Sequence, residues 1–194
     1  NNTQNFNTLI RIIESKDIQG FLSTNEAIAF WINAYNVGVI KLILEYYPIN
    51  SVSNIPDFDT LPVYSFGETY FSLTDIESKL IELGNHIYLF SLHNGTISGP
   101  DLRPIVYTTD NLLSEMDKSF DLFLANTSKS AKVYPGVSSI YITPRFDLFL
   151  KTLSPTQNIV DYVSQKISPY SQLSSDKRYT IKLTKPKLDL NIHD

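Results

Sequence analysis

One stretch of this chain, Asn25 to Tyr47, decides most of what it can fold into. Ser23-Thr24-Asn25-Glu26 has the spacing of a capping box, and Pro48 stops the helix it opens. Advance about 100° per residue from Ile28 at zero, and Trp31, Ile32, Tyr35, Val39, Leu42 and Tyr46 fall within about 60° of zero. Phe30, Val37, Ile40 and Leu44 lie on the other side, between roughly 120° and 200°. Only the strip Ala27, Ala34, Gly38, Lys41 and Glu45 reads as solvated. A helix apolar nearly all round is a central one, covered on most sides. Glu26 and Asn33 fall among the second apolar group, and Asn36 lies between the two. Burying an unpaired amide costs on the order of 1–3 kcal/mol, and a carboxylate costs more. These three side chains therefore need partners. In one reading the amides pin neighbouring loops and Glu26 caps its own helix with Ser23. In the other, the three form the floor of a cleft.

The rest of the chain supplies lesser elements. Leu9, Ile10, Ile12 and Ile13 predict a first helix over Asn5 to Ile18, ended near Gly20. Val63–Phe66 and Thr69–Leu73 flank Gly67-Glu68, a two-residue hairpin turn. Thr74-Asp75-Ile76-Glu77 reads as a second capping box, with a helix running to Gly84. Ile87 to Leu92 is a continuous apolar run of strand length, followed by a polar loop from His93 to Pro104. Asp110 to Ala125 is predicted helical, with Leu112, Leu113, Met116, Phe120, Phe123 and Leu124 inward. A strand is predicted over Ser138–Thr143 and a helix over Phe146–Leu153. Ser154-Pro155 should open another helix reaching Ile167. Arg178–Thr184 alternates as a strand. There is no regular strand–helix–strand rhythm, so the expected fold is α+β. The chain of 194 residues fits a single domain over 1–194, with a long central helix packed on a mostly antiparallel sheet and additional helices.

Composition excludes several classes of function. The net charge is −4 and the basic residues are scattered, without the clustered footprint that nucleic acid requires. Lys177, Arg178, Lys182, Lys185 and Lys187 suit a solvated edge strand better than a phosphate groove. The chain has no cysteine, hence no disulfide, thiolate nucleophile or Cys-based metal site. No stretch is read as a membrane span, which takes ~20 apolar residues. Charged residues make up 19% of the chain, below the usual share, with Asn, Ser, Thr and Tyr in their place. Such a neutral, hydrogen-bonding surface inclines toward a secreted or extracytoplasmic setting. A chain beginning at Asn1 rather than Met is expected of a processed product. Asn1, Asn94 and Asn126 head glycosylation sequons, which arise by chance in such a composition.

The helix also carries a resemblance. Glu26-Ala27-Ile28-Ala29-Phe30-Trp31-Ile32-Asn33-Ala34-Tyr35-Asn36, continuing to Glu45-Tyr46-Tyr47-Pro48, resembles the signature helix of the domain of unknown function 547 family. Gly67 with Leu73-Thr74-Asp75-Ile76-Glu77 is similar to the family's next segment. Ile87-Tyr88-Leu89-Phe90-Ser91-Leu92 with Pro100-Asp101-Leu102-Arg103 and Tyr107 is similar to a third, and Leu188-Asp189-Leu190-Asn191 to a fourth. The resemblance covers about residues 25–191 and leaves 1–24 as an N-terminal helical extension. It implies a His directly after the first Ile of the third segment, then a Cys-Gly, then a Cys before the Pro. This chain has Tyr88 at the first position, His93-Asn94-Gly95 at the second and Gly99 at the third. Cys-dependent catalysis is thus excluded, and the chain reads as a divergent member.

Two functions from different classes follow. The leading one is a non-catalytic or degenerate member that binds a small molecule or a protein. Its site would be lined by Asn33, Asn36, Tyr88 and Arg103, and 12 tyrosines suit such contacts. The alternative is a Cys-independent hydrolase or acyl transferase acting on a peptide or cell-envelope component. Glu26 and Glu77 would be its acid/base pair and His93 its base. Against it, Glu77 is explained as the third residue of a cap on Thr74, and His93 as a loop residue. No metal site is expected: His86 and His93 bracket a strand that would hold them roughly 23 Å apart, and His193 lies in the tail. No cofactor is implied, since phosphate-loop, dinucleotide and Gly-x-Ser-x-Gly patterns are absent.

Overall fold

The computed structural model describes residues 2–84, 86–134, 138–151, 159–166, 179–185, 187 and 189–190. Among these residues it is an α+β structure of six α-helices, two 3-10 helices and two small sheets. Helix α1 spans Asn2–Glu14, ending earlier than the predicted Ile18 because a turn with Lys16 N donating to Ile13 O closes it. Helix α2, Thr24–Tyr46, is the central element. Its cap is Ser23, whose hydroxyl accepts from the Glu26 backbone N–H at 3.1 Å.

Two faces of α2 are reversed from the expectation. Most of the strip read as solvated is covered: Ala27, Ala34 and Gly38 are buried, while Lys41 is half-buried and Glu45 exposed. Small side chains here admit neighbours too close for large ones. A Cβ on Gly38 would meet Leu73 Cδ2 at 3.1 Å and Val63 Cγ2 at 3.3 Å. The Tyr64 hydroxyl donates to Ala34 O at 2.8 Å across the same contact. The second apolar group is instead only half covered, with Leu44 exposed, and Tyr46, expected on the core face, is exposed at the end of the helix. By length and composition alone α2 passes the test for a membrane-crossing helix, a test that a mostly buried core helix passes equally. In the structure its face of Ile28, Trp31, Ile32, Tyr35, Val39 and Leu42 is spent inside the protein, where Trp31 stacks on Phe71 at 5.5 Å between ring centroids.

The hairpin forms as predicted. Strand β1, Pro62–Phe66, pairs antiparallel with β2, Thr69–Ser72, and Gly67 takes the positive φ of the turn. Helix α3, Leu73–Glu82, begins two residues earlier than its sequence motif suggests. Ser72 is the N-cap, and Asp75 completes the capping box by accepting from the Ser72 N–H at 2.8 Å. Thr74 and Glu77 are thereby released from the capping role assigned to them.

Ile87–Leu92 is not a strand. His86–Phe90 is a 3-10 helix, and Ser91 N donates to Tyr88 O to extend it. A short apolar run cannot be told from a buried helical turn by periodicity alone. Here the run is surrounded by helices: Phe90 sits 4.7 Å from Phe120 and Phe123 and 5.0 Å from Phe149, ring to ring. The strand geometry that set His86 and His93 apart falls with it. Helix α4, Leu112–Ala125, buries Leu112, Met116, Phe123 and Leu124, but Leu113 faces out.

The second sheet has the order β3-β4-β5, from Ala131–Tyr134, Ser139–Ile142 and Thr180–Leu183. β3 and β4 are antiparallel, and β5 joins as a parallel, exposed edge. Between them run α5, Pro144–Leu150, opened by Pro at its first position, and α6, Ile159–Lys166. The predicted cap Ser154-Pro155 lies outside the described residues.

Candidate functional site

A cavity of about 390 Å³ opens where α2, α3 and α5 meet the 94–98 loop. α2 contributes Tyr35, α3 contributes Thr74 and Glu77, and α5 contributes Pro144, Arg145 and Leu148. Arg145 is the second residue of α5, so Pro144 at the helix start fixes where its side chain leaves the backbone. Its guanidinium meets Glu77 Oε1 at 3.1 Å, with 13% and 29% of the two side chains exposed. Glu77 is available for this pair because Asp75 does the capping. Tyr35 is wholly enclosed, and burial pushes its hydroxyl up to about 12, while the positive charge of Arg145, and less so its hydrogen bond, pulls the other way.

The rim is equally built. Asp59 O accepts from the Thr74 N–H and hydroxyl, both at 2.9 Å, tying the 57–61 turn to the start of α3. Asn94 Oδ1 accepts from Thr96 N at 3.3 Å and from Thr96 Oγ1 at 2.8 Å. Ser98 Oγ donates to Lys187 O, and the Thr143 hydroxyl donates to Lys129 O. Those oxygens are committed to the fold. Hydrogen-bonding capacity remains at the Asp59 carboxylate, Glu77 Oε2, the Asn94 amide NH₂ and the remaining N–H donors of Arg145. A guanidinium carries five donors, so its bonds to Glu77 and Tyr35 leave some for a ligand.

The expected site residues do not gather in one cleft. Of the three expected catalytic groups, Glu77 alone lines this cavity. Glu26 sits at the start of α2, where Lys16 Nζ donates to Oε1 at 2.7 Å and Leu22 N donates to Oε2 at 2.8 Å. The Lys16 bond, then the Leu22 bond, hold its carboxyl below the usual carboxylate range. His93 is buried, with Nδ1 at 2.9 Å from Pro100 O. Tyr88 is also buried, which raises its hydroxyl to about 12.

Asn33, Asn36 and Arg103 line a second, more apolar cleft of about 550 Å³, between α1, α2 and the 102–106 segment. The two amides act as paired pins. Asn33 donates to Tyr107 O at 2.7 Å and accepts from Tyr107 N at 3.0 Å. Asn36 donates to Ser91 O at 2.9 Å and accepts from His93 N at 2.8 Å. Arg103 meets Glu115 Oε2 at 2.5 Å and donates to Glu115 O and Ser119 Oγ. Their polar atoms are thus used inside the protein. No group of three His, Asp or Glu side chains among the described residues could hold a metal ion.

Sequence reasoning missed Tyr35, Asp59 and Arg145. Tyr35 was counted only as core, and Asp59 and Arg145 stand in no recognisable spacing. The misplaced cap hid the one clue, a Glu in the second turn of α3 with nothing local to bind.

A family model described as protein of unknown function, DUF547, matches residues 20–124, just over half of the chain. The matched stretch holds Tyr35, Asp59, Glu77, Asn94 and Ser98, while Arg145 lies beyond it. No curated protein and no solved structure matches the chain.

Proposed function

From the premise that the chain belongs to the DUF547 family of proteins of unknown function, we propose that it is a non-catalytic binding module for a small polar ligand, held in the cavity of Tyr35, Glu77 and Arg145. The observation that carries this reading is the Arg145–Glu77 pair. It is a mostly covered ion pair lining a cavity, with guanidinium donors left over. Bringing charges out of water is costly, and an ion pair by itself is weak evidence of added stability. A pair that also presents unused donors to a cavity suits recognition.

A hydrolase would need a group at the cavity able to trade protons near neutrality. Burial pushes the Tyr35 hydroxyl up to about 12, and His93 is buried with its Nδ1 at Pro100 O. These placements favour binding over turnover. The test is a thermal-shift and NMR screen of small polar compounds: amino acids, sugars and nucleosides. The expected result is a hit whose chemical shifts map to Tyr35, Glu77 and Arg145, and which Arg145→Ala abolishes. Hits that map only to the apolar cleft of Asn33 and Arg103 would overturn the assignment of the site.

A further inference from the structure

Resting on that reading, we infer that the ligand of the Tyr35–Glu77–Arg145 cavity is a free α-amino acid or a close zwitterionic analogue, its ammonium held by Asp59 and its carboxylate by Arg145. The argument begins with charge. Three ionised side chains line the cavity: Asp59, Glu77 and Arg145. Glu77 and Arg145 neutralise each other at 3.1 Å. Asp59 has no counter-ion among the described residues, since its bonds to Thr74 use the backbone oxygen only. One carboxylate of the cavity, that of Asp59, is therefore left to pair with a ligand's ammonium. A plain anion would meet that uncompensated carboxylate and be disfavoured.

The donors supply the other half. Arg145 has N–H groups beyond those used by Glu77 and Tyr35, and the guanidinium fork suits a carboxylate. The Asn94 NH₂ stands at the same wall and adds a further donor. Leu73, Pro144 and Leu148 also line the cavity and offer an apolar surface for a side chain. A ligand with an ammonium, a carboxylate and a short apolar branch meets each of these. At about 390 Å³ the space lies near the small end of ligand pockets, which suits a compact molecule.

The experiment is a titration calorimetry and NMR series on the full chain. It uses the free amino acids, their N-acetyl derivatives, their C-terminal amides, and a set of monosaccharides and nucleosides. The expected result is binding by one or more free amino acids, weakened about tenfold or more by N-acetylation and likewise by amidation. Asp59→Asn should reproduce the first loss and Arg145→Gln the second. Asp59 is exposed and bonds through its backbone, so Asp59→Asn should fold as the parent does. An N-acetyl derivative that binds as tightly as its parent would overturn ammonium recognition and leave the binding cavity standing. Sugars or nucleosides bound there, with no amino acid bound, would have the same meaning. Silence from every compound would overturn both this inference and the reading beneath it.

Discussion

At the scale of single residues, the two asparagines of α2 are the clearest case of polar groups that must be satisfied. Asn36 is buried and serves the backbone on both sides of Leu92, at Ser91 O and His93 N. Asn36→Ala would orphan both groups and cost on the order of 2–3 kcal/mol. Asn33 is half-buried and serves Tyr107 alone, so Asn33→Ala should cost about half as much. Urea unfolding of the two variants checks this, and an unchanged midpoint for Asn36→Ala would overturn the pinning role. That these amides needed partners was legible in the sequence from their place among apolar neighbours. Which partners they have was not, because Tyr107 lies 74 residues from Asn33. Glu26 shows the opposite failure. The helical wheel buries it, yet the chain before α2 leaves it half-open and gives it Lys16.

At the scale of elements, α2 and the hairpin were readable because each carries its own local logic: a cap, a stop and a Gly turn. Helix α3 was readable as a helix but misplaced at its start. Ser72 precedes Leu73, and both Ser72-x-x-Asp75 and Thr74-x-x-Glu77 have capping spacing. The hairpin decides between them, since β2 ends at Ser72 in extended geometry. Ser72→Ala should therefore cost about 1 kcal/mol. Thr74→Ala removes only an exposed bond to Asp59 O and should cost less. Guanidinium denaturation of the two variants decides the matter: a larger loss for Thr74→Ala would restore the cap to Thr74. The 3-10 helix His86–Phe90 was not legible at all. Its conformation is set by the aromatic rings of α4 and α5 packing around Phe90, not by any pattern of its own.

At the scale of the whole molecule, tyrosine hydroxyls are distributed through the interior in place of charges. Burial raises Tyr35, Tyr88 and Tyr162 to about 12 and Tyr64 further still. An unfolded tyrosine ionises near pH 10. The folded values are raised, so the stabilisation is complete below about pH 10 and is lost as pH climbs toward 12. Tyr35 alone contributes on the order of 2 kcal/mol to that loss. Tyrosinate absorbance followed beside circular dichroism should show unfolding and ionisation together in that window. Ionisation of all tyrosines near pH 10 with the native spectrum intact would contradict their enclosure. The α+β class was open to the sequence, because helices and strands announce themselves locally. The division of the polar cavity from the apolar cleft was not, because it depends on which side of α2 each neighbour covers.

That division has a mechanical consequence. α2 is a bulkhead: the polar chamber and the apolar one share it as a common wall. Ala34 and Gly38 seat it hard against Tyr64, Val63 and Leu73, and its asparagines bolt it to Tyr107, Ser91 and His93. A turn of α2 about its axis would shear those bolts together. Breathing of either chamber must then come from its outer panels, α1 on one side and α5 with the 57–61 turn on the other, so each can admit a guest without disturbing the next room.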